Sequence, residues 1–404
     1  MKARQSSVAT GALFATLICA WLSPLQGQSR EYAAVSLDDG NRAPLVVIGI
    51  RLPIGSVRDT SGREGTAWLL ANTLAAQMNA ALGRRTEVTV DVGRSTTSFT
   101  LSVLPDNWLV AWAILEETLF DATLDSAAFE HERSRLLAQL LFQRGSPALD
   151  HERKWVQQVA PPSSPWARSP RGTHESVEAL TIHDAQLLRR NEYHAASSVV
   201  AAVGVGDNAV LSDRPSRVVT SPPEGPAWTT SARLDVTREV TSSWISVAYP
   251  IAGPLPRTAL EFVAHLIRWR LDPLPPDPGR YGEIEVRLVD APLGAVIVVE
   301  GVVAPESSER FEQEILRVVS GLTEEPPEGD FFTWDRRRFR AARLLAEATP
   351  ELAVARITSD LMRDGGRRDV GEDIWEITPA AVASALLALG EPRVFRLGPD
   401  LGSR

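Results

Sequence analysis

The stretch Gly65-Thr66-Ala67-Trp68-Leu69-Leu70-Ala71-Asn72-Thr73-Leu74 decides how this chain of 404 residues is interpreted. Apolar residues recur through it at helical spacing, which predicts a helix over residues 64–82. Trp68 and Asn72 are one helical turn apart, so both side chains share one face of that helix. Ala71 immediately precedes Asn72 in the same turn of the helix. The stretch therefore fixes both a helix and the side chains that one of its faces presents.

This stretch resembles the motif helix of the insulinase/pitrilysin metallopeptidase family, which carries the inverted zinc motif H-x-x-E-H. Trp68 and Asn72 stand at the two His positions, and Ala71 stands at the position of the general-base Glu. In an intact motif the two His bind one zinc ion, and the Glu takes a proton from the zinc-bound water. An indole, a carboxamide and a methyl group cannot perform these roles. We expect a helix of this family that holds no zinc and has no catalytic residue.

Two further stretches carry the same resemblance, which covers nearly the whole mature chain. Residues 164–177, from Ser164-Pro165-Trp166 to Glu175-Ser176-Val177, are similar to the family's "H-P-Y … G-T … E-S-I" segment. Residues 203–207, Val-Gly-Val-Gly-Asp, are similar to its "V-V-G-D". Each match is weak alone, and the three together are specific.

The resemblance also locates the remaining positions of a zinc site. The family's third zinc ligand is a Glu seven residues after another Glu. Here Glu132 matches the first, and Gln139 stands at the ligand position. Seven residues are two helical turns, so Gln139 would face the same degenerate site as Glu132. The alternatives are a solvated helix face for Glu132 and Gln139, and ordinary core packing for Trp68.

In the second half, active members of the family use an Arg and a downstream Tyr to bind substrate. Arg287 is the best match for that Arg, and Gly294 falls at the Tyr position. We therefore treat Glu132 and Arg287 as candidates for a vestigial pocket.

The order of predicted elements occurs twice along the chain. Each half has a strand, a helix, two strands, several helices and a closing strand, which indicates an internal duplication. Together with the resemblance, this order implies an α+β protein with two homologous α/β-sandwich domains of the LuxS/mitochondrial-processing-peptidase-like metallohydrolase type. The domains are residues 30–207 and 232–404, joined by a proline-rich linker over 208–231.

Residues 1–29 have the pattern of a secretory signal peptide. Lys2 and Arg4 precede an uncharged apolar run over residues 8–22, which is short for a membrane anchor, the alternative interpretation. The only cysteine, Cys19, lies in this segment, so the mature chain has no disulfide. We expect export, to a bacterial periplasm, and no membrane span after the signal is removed.

The composition argues against several other functions. The net charge of −9 is well mixed, with no basic patch for nucleic acid. G-x-S-x-G is absent, and no cofactor motif is complete. A replacement metal site built from His131-Glu132 and His151-Glu152 is the remaining possibility, and the other four histidines are scattered.

Chains of this length in the family work as pairs in which one subunit can lack zinc. The resemblance thus implies a zinc-free subunit that pairs with a zinc-bearing homologous peptidase and helps enclose a peptide substrate. The alternatives are a stand-alone peptide-binding or scaffold protein of the same fold, and a hydrolase whose active site lies elsewhere.

Overall fold

A computed structural model describes residues 33–37, 45–83, 86–205, 233–253, 255–272, 279, 282–291, 294–364 and 372–400. The predicted signal peptide and the predicted linker over 208–231 lie outside these residues. Within them, two five-stranded sheets are each covered by helices on both faces. No helix in the described part is both long enough and apolar enough to cross a membrane.

The described part of the first half contains five strands and six α-helices. The strands are β1 (Ala33–Leu37), β2 (Val46–Leu52), β3 (Glu87–Val92), β4 (Thr97–Val103) and β5 (Val199–Val203). The helices are α1 (Thr66–Leu82), α2 (Trp108–Phe120), α3 (Ser126–Phe142), α4 (Pro147–Val159), α5 (His174–Glu178) and α6 (Ile182–Glu192).

The second half repeats the strands and the order of the leading helices. Its strands are β6 (Arg233–Thr237), β7 (Ser243–Ala252), β8 (Glu285–Ala291), β9 (Gly294–Val303) and β10 (Arg393–Gly398). Its helices are α7 (Arg257–Leu271), α8 (Ser308–Glu324), α9 (Gly329–Ala346), α10 (Pro350–Asp364), α11 (Glu372–Trp375) and α12 (Pro379–Leu387).

The two sheets have the same topology. Their strand orders are β1-β5-β2-β4-β3 and β6-β10-β7-β9-β8, so each strand has a counterpart at the same place in the other sheet. In each sheet the first strand pairs in parallel with the last, and the remaining pairs are antiparallel. The predicted fold class, an internally duplicated α+β protein, is confirmed.

The packing of strand β2 on both faces explains why its sequence is apolar at nearly every position. Val46, Ile48 and Ile50 point into the cluster formed with α1, α2 and α3. Val47 points the other way, into a second cluster formed with α10. Because side chains alternate between the faces of a strand, a strand covered on both faces must be apolar at nearly every position.

One helix of each half covers the sheet of the other half. Helix α4 packs on β7 and β10, where Trp155, Val156 and Val159 join the second sheet's core. Helix α10 packs on β2 and β5 of the first sheet. Gly49 of β2 allows this close approach, since a Cβ there would lie 2.2 Å from Val354 Cγ1. The two halves are therefore interlocked by a reciprocal exchange of helices.

The sequence did not predict two strands, and it placed some ends differently. β1 and β6 have five residues each, too short for alternation to be convincing. The sequence also predicts a helix only over residues 152–159, whereas α4 begins at Pro147, which occupies the first turn of the helix, where no intrahelical N–H is needed.

Candidate functional site

The first turn of α1 is held by a buried carboxylate. Asp59 accepts hydrogen bonds from the backbone N–H groups of Gly65 at 2.8 Å and Ala67 at 2.9 Å. Burial raises the pKa of Asp59 to about 7, against the opposing effect of these N–H donors. Asp59 thus acts as a cap supplied from outside the helix, which the sequence pattern did not predict.

The segment that resembles "G-T … E-S-I" supports the same turn from the other side. The Ser176 hydroxyl donates to the Glu64 carbonyl at 2.8 Å, and Thr173 and Ser176 cap α5 reciprocally. Gly172 has a φ of +71°, and a Cβ there would lie 2.2 Å from the Glu64 carbonyl oxygen. This segment therefore fixes where α1 begins, and hence where its exposed face points.

Trp68 and Asn72 share that face, as predicted. The Asn72 carboxamide donates from Nδ2 to the Trp68 carbonyl oxygen at 2.9 Å, which leaves its Oδ1 pointing away from the helix. Trp68 is half-buried and packs against the edge of the first core rather than within it. Its indole is therefore partly buried and partly exposed to solvent.

An arginine from α3 fills the space between these side chains. Arg135 donates from Nη2 to Asn72 Oδ1 at 3.1 Å and from Nε to Glu132 Oε2 at 2.7 Å. Its guanidinium carbon lies 5.4 Å from the centre of the Trp68 ring, within cation–π distance. Glu132 is only 7% exposed, so its face of α3 is not solvated. The guanidinium group of Arg135 therefore occupies the region where the resemblance would place a metal ion.

Ala71 and Gln139 occupy the other two positions of the degenerate zinc site. Ala71 is fully buried within the first core, and its methyl group has no proton to accept or donate. Gln139 is half-buried on α3, and its side chain makes no hydrogen bond to Asn72 or Arg135. The structure brings Trp68, Asn72 and Glu132 together through Arg135.

Arg287 belongs to a different cluster, between the two halves. It pairs with Glu300 of β9, and Ser246 of β7 donates to the same carboxylate at 2.9 Å. His151 of α4 lies 2.8 Å from the Ser246 hydroxyl. Burial and then the charge of Arg287 lower the pKa of His151 to about 3, so the ring is neutral at pH 7. No described contact joins Arg287 to Glu132.

The arrangement around α1 cannot perform metal-assisted hydrolysis. A zinc ion needs lone pairs from His, Cys or carboxylates, and a guanidinium offers only N–H donors and a repelling charge. No group of three or more His, Cys, Asp or Glu side chains that could hold a metal occurs among the described residues. In particular, His131 is exposed and His151 is buried against the second sheet.

Sequence reasoning missed Arg135 and Asp59, and it considered His151 only as a possible metal ligand. For Arg135 the available signal was its spacing of three residues from Glu132, which places both side chains on neighbouring positions of one helix face. Nothing in the local sequence of Asp59 or His151 indicates the partner that each one meets.

Solved structures with the same architecture decide the fold type. A protease from Helicobacter pylori aligns with a TM-score of 0.76 at 12% identity, covering 92% of this chain and 98% of that chain. The chain has a peptidase M16-like, insulinase-like fold. The "peptidase M16 inactive domain" from Pseudomonas fluorescens aligns with a TM-score of 0.72 at 15% identity, covering 91% and 96%.

A chain of complex III from Candida albicans has the same M16-like fold, with a TM-score of 0.72, 16% identity, and 92% and 95% of the two chains covered. Neither a protein-family model nor a curated protein sequence matches this chain. At these identities the similarity establishes the fold, and the site must be judged from its own residues.

Proposed function

We propose that this chain is a non-catalytic peptidase homologue that pairs with a zinc-bearing homologous subunit and helps to hold a peptide substrate. The observation that carries the proposal is that Arg135 bonds both Asn72 of the motif helix α1 and Glu132 of α3. The fold keeps the face that would bear an active site, and a guanidinium group is fixed there. A partner subunit would then supply the metal and the chemistry.

The charge balance of the site supports this proposal. A buried carboxylate such as Glu132 needs a nearby positive charge, which zinc would supply in an active site. Arg135 supplies that charge permanently and forms geometrically defined hydrogen bonds, so the helix pair α1 and α3 stays ordered without a metal. The structural similarity to an "inactive domain" is consistent with such a role.

The edge strand β3 offers a place for an extended peptide. Within the described residues it pairs only with β4. Its outward groups alternate, and those of Val88 are already taken, because the Asn79 carboxamide bonds both the N–H and the C=O of Val88. The outward N–H and C=O groups of Val90 and Val92 remain for a peptide strand, which would add by main-chain hydrogen bonds.

The pairing and its location belong to the same proposal. We propose that residues 1–29 direct export, that the mature chain acts in a bacterial periplasm, and that residues 30–207 and 232–404 are its two domains. The support is compositional: a charged start, an uncharged apolar run and a proline-rich segment between the halves.

Co-expression with a zinc-bearing homologue tests this function. The chain is produced with an H-x-x-E-H homologue encoded in the same genome, and the purified complex is assayed for zinc content and for cleavage of unstructured peptides. We expect a stable complex with one zinc per pair. The peptidase activity should disappear when the general-base Glu of the homologue is changed to Gln.

Two outcomes would favour the alternatives. Stoichiometric zinc or chelator-sensitive hydrolysis in the chain alone would contradict the proposal and indicate a relocated site. Failure to pair with any zinc-bearing homologue, together with binding of unstructured peptides by the chain alone, would favour a stand-alone peptide-binding or scaffold protein. The similarity to a chain of complex III supports this second candidate function.

A further inference from the structure

The second half contains a pocket of ≈ 320 Å³ that the degenerate zinc motif does not involve. It lies between α7, the edge strand β8, α9 and the crossing helix α10. Its polar lining consists of four arginines, one carboxylate and one histidine. These residues are Arg257, Glu261, His265, Arg268, Arg343 and Arg356.

The internal duplication makes this pocket the counterpart of the site around α1. Helices α1 and α7 each lie between the second and third strands of their half. Their buried positions coincide when Ala67, Leu70, Ala71, Leu74 and Met78 are set against Leu260, Val263, Ala264, Ile267 and Leu271. Trp68 then corresponds to Glu261, and Asn72 corresponds to His265.

Helices α3 and α9 correspond in the same way. The buried residues Phe129, Glu132 and Leu136 match Phe332, Asp335 and Phe339. This sets Arg135 against Arg338, whose charge acts on His265. Each half therefore presents the same helix pair, but the second half lines it with ionisable groups.

Three guanidinium groups converge on the buried carboxylate of Glu261. Arg356 Nη2 lies 3.1 Å from Oε2, Arg257 Nε lies 3.3 Å from Oε1, and Arg343 Nη1 lies 3.7 Å from Oε2. Burial alone would raise the pKa of Glu261, but the charges of these arginines together hold it below its ordinary value. One negative charge in the lining thus faces several positive ones.

The acidic partners that Arg257, Arg268 and Arg356 have outside the lining do not remove this excess. Arg257 also meets Asp290, whose side chain is 65% exposed, and Arg268 meets Glu283, which is 91% exposed. Exposed pairs of this kind are screened by solvent. Arg356 also bonds Asp360, which Arg363 shares. The lining therefore keeps a net positive charge.

This lining is unsuited to a metal cation. Glu261 and His265 are one turn apart, a spacing used by metal ligands, but no third ligand joins them among the described residues. The surrounding guanidinium groups would repel a divalent ion. The same groups present planar pairs of N–H donors, which fit the oxygens of a carboxylate or phosphate.

We propose that this second-half pocket is an oxyanion-binding site that takes a carboxylate or phosphate group. Arg268 and Arg356 contact the anion at the open side, and Glu261 holds the other guanidinium groups in place. This proposal does not depend on pairing with a peptidase.

Calorimetric titration of the full-length chain tests the site. The probes are inorganic phosphate, an acetylated and amidated tri-glutamate peptide, its tri-glutamine counterpart, and the tri-glutamine peptide with a free C-terminal carboxylate. We expect saturable binding of phosphate or of a carboxylate-bearing peptide, and no binding of the neutral peptide. The probe that binds identifies whether the source is a small anion, a side chain or a peptide terminus.

Matched variants locate the binding. Arg268→Gln removes an exposed guanidinium, with a side chain 55% exposed, and should weaken binding roughly threefold without affecting folding. Arg356→Gln should weaken it about tenfold or more. The control is Arg58→Gln, since Arg58 is 52% exposed and has one long ion pair with Glu192 in the first half.

A nuclear magnetic resonance titration adds a local reading. Phosphate should shift the ring resonances of His265 while those of the exposed His131 stay unchanged. The proposal would be overturned if no oxyanion bound at millimolar concentration, or if Arg58→Gln lost as much affinity as Arg268→Gln. The second outcome would mean general charge attraction rather than a site.

Discussion

Arg135 links the lost metal site to the stability of the fold. Its partner Glu132 has a side chain only 9% exposed, so that carboxylate cannot be solvated if the guanidinium is removed. An uncompensated buried charge is far more costly than a broken surface pair. The residue that excludes zinc should therefore also be one that the first half needs in order to stay folded.

Arg135→Met should lower the free energy of unfolding by about 1–2 kcal/mol, less than for a fully buried pair because the Arg135 side chain is 42% exposed. Arg58→Met is the control. Arg58 is 52% exposed and has one long ion pair, with Glu192, so we expect a loss of no more than about 0.5 kcal/mol. Urea denaturation of the two variants measures the difference. Equal losses would contradict a special role for Arg135.

His151 predicts a loss of stability in mild acid. Its pKa is lowered to about 3 in the folded chain, against about 6.5 when unfolded. Below pH 6.5 the unfolded chain binds a proton that the folded chain does not, so stability falls as the pH falls towards 3. The contribution reaches about 2 kcal/mol at pH 5.

The test is the change in unfolding free energy between pH 7 and pH 5. It should be smaller in His151→Gln than in the natural chain, and unchanged in His131→Gln, since His131 is exposed. Asp59, with a pKa raised to about 7, acts in the opposite direction over this range, but it is common to all three proteins. An identical pH dependence in all three would refute the prediction.

At the scale of elements, the contact between α10 and β2 depends on one glycine. In Gly49→Ala the new Cβ would meet Val354 Cγ1, so we expect a loss of about 1–3 kcal/mol. Adding Val354→Ala should recover part of that loss, because it removes the clashing methyl group. Thermal unfolding of the single and double variants measures this coupling.

Gly321→Ala serves as the control for that experiment. Gly321 lies within α8, and a Cβ there meets no atom within 4 Å. This change should stabilise the chain by up to about 1 kcal/mol, because alanine favours helix more than glycine does. A comparable destabilisation in Gly321→Ala would mean that the effect at Gly49 is not one of packing against α10.

The elements also show how far the sequence could be interpreted. The helix over residues 64–82 and the duplicated order of elements follow from periodicity, whereas the loss of metal ligands follows only from the resemblance to the family motif. The crossing of α4 and α10 does not, because an apolar helix face fits the outer side of either sheet and periodicity does not say which. The spacing of Arg135 from Glu132 indicates their pairing, but its contacts with Trp68 and Asn72 could not be predicted, because those residues come from a different helix.

At the scale of the whole molecule, the exchanged helices should make the two halves one cooperative unit. Trp155 and Val156 belong to the core of the second sheet, and Val354 and Leu361 cover the first. Burying each such side chain contributes roughly 1.5–3 kcal/mol, and removing either half would expose both sets. Separating the halves therefore costs far more than opening an ordinary interdomain contact.

A cut between the halves tests this cooperativity. With a protease recognition site inserted between residues 208 and 231, the two fragments should still elute together in size-exclusion chromatography after cleavage. The uncut chain should show a single calorimetric transition whose calorimetric and van't Hoff enthalpies agree. Separate elution, or two resolved transitions, would show that the halves are independent domains.

The reciprocal exchange also dictates the order in which a growing chain can finish its architecture. The strands of the first sheet are complete once Val203 has been made, but the helix that covers its outer face starts only at Pro350. During that interval Val47, Val199 and Ala201 form an uncovered apolar surface that faces water. Domains usually mature one after another from the amino terminus during translation. This chain must instead wait for residues 350–364, so we expect the outer face of the first sheet to stay uncovered for longer than in a protein whose domains fold one after another.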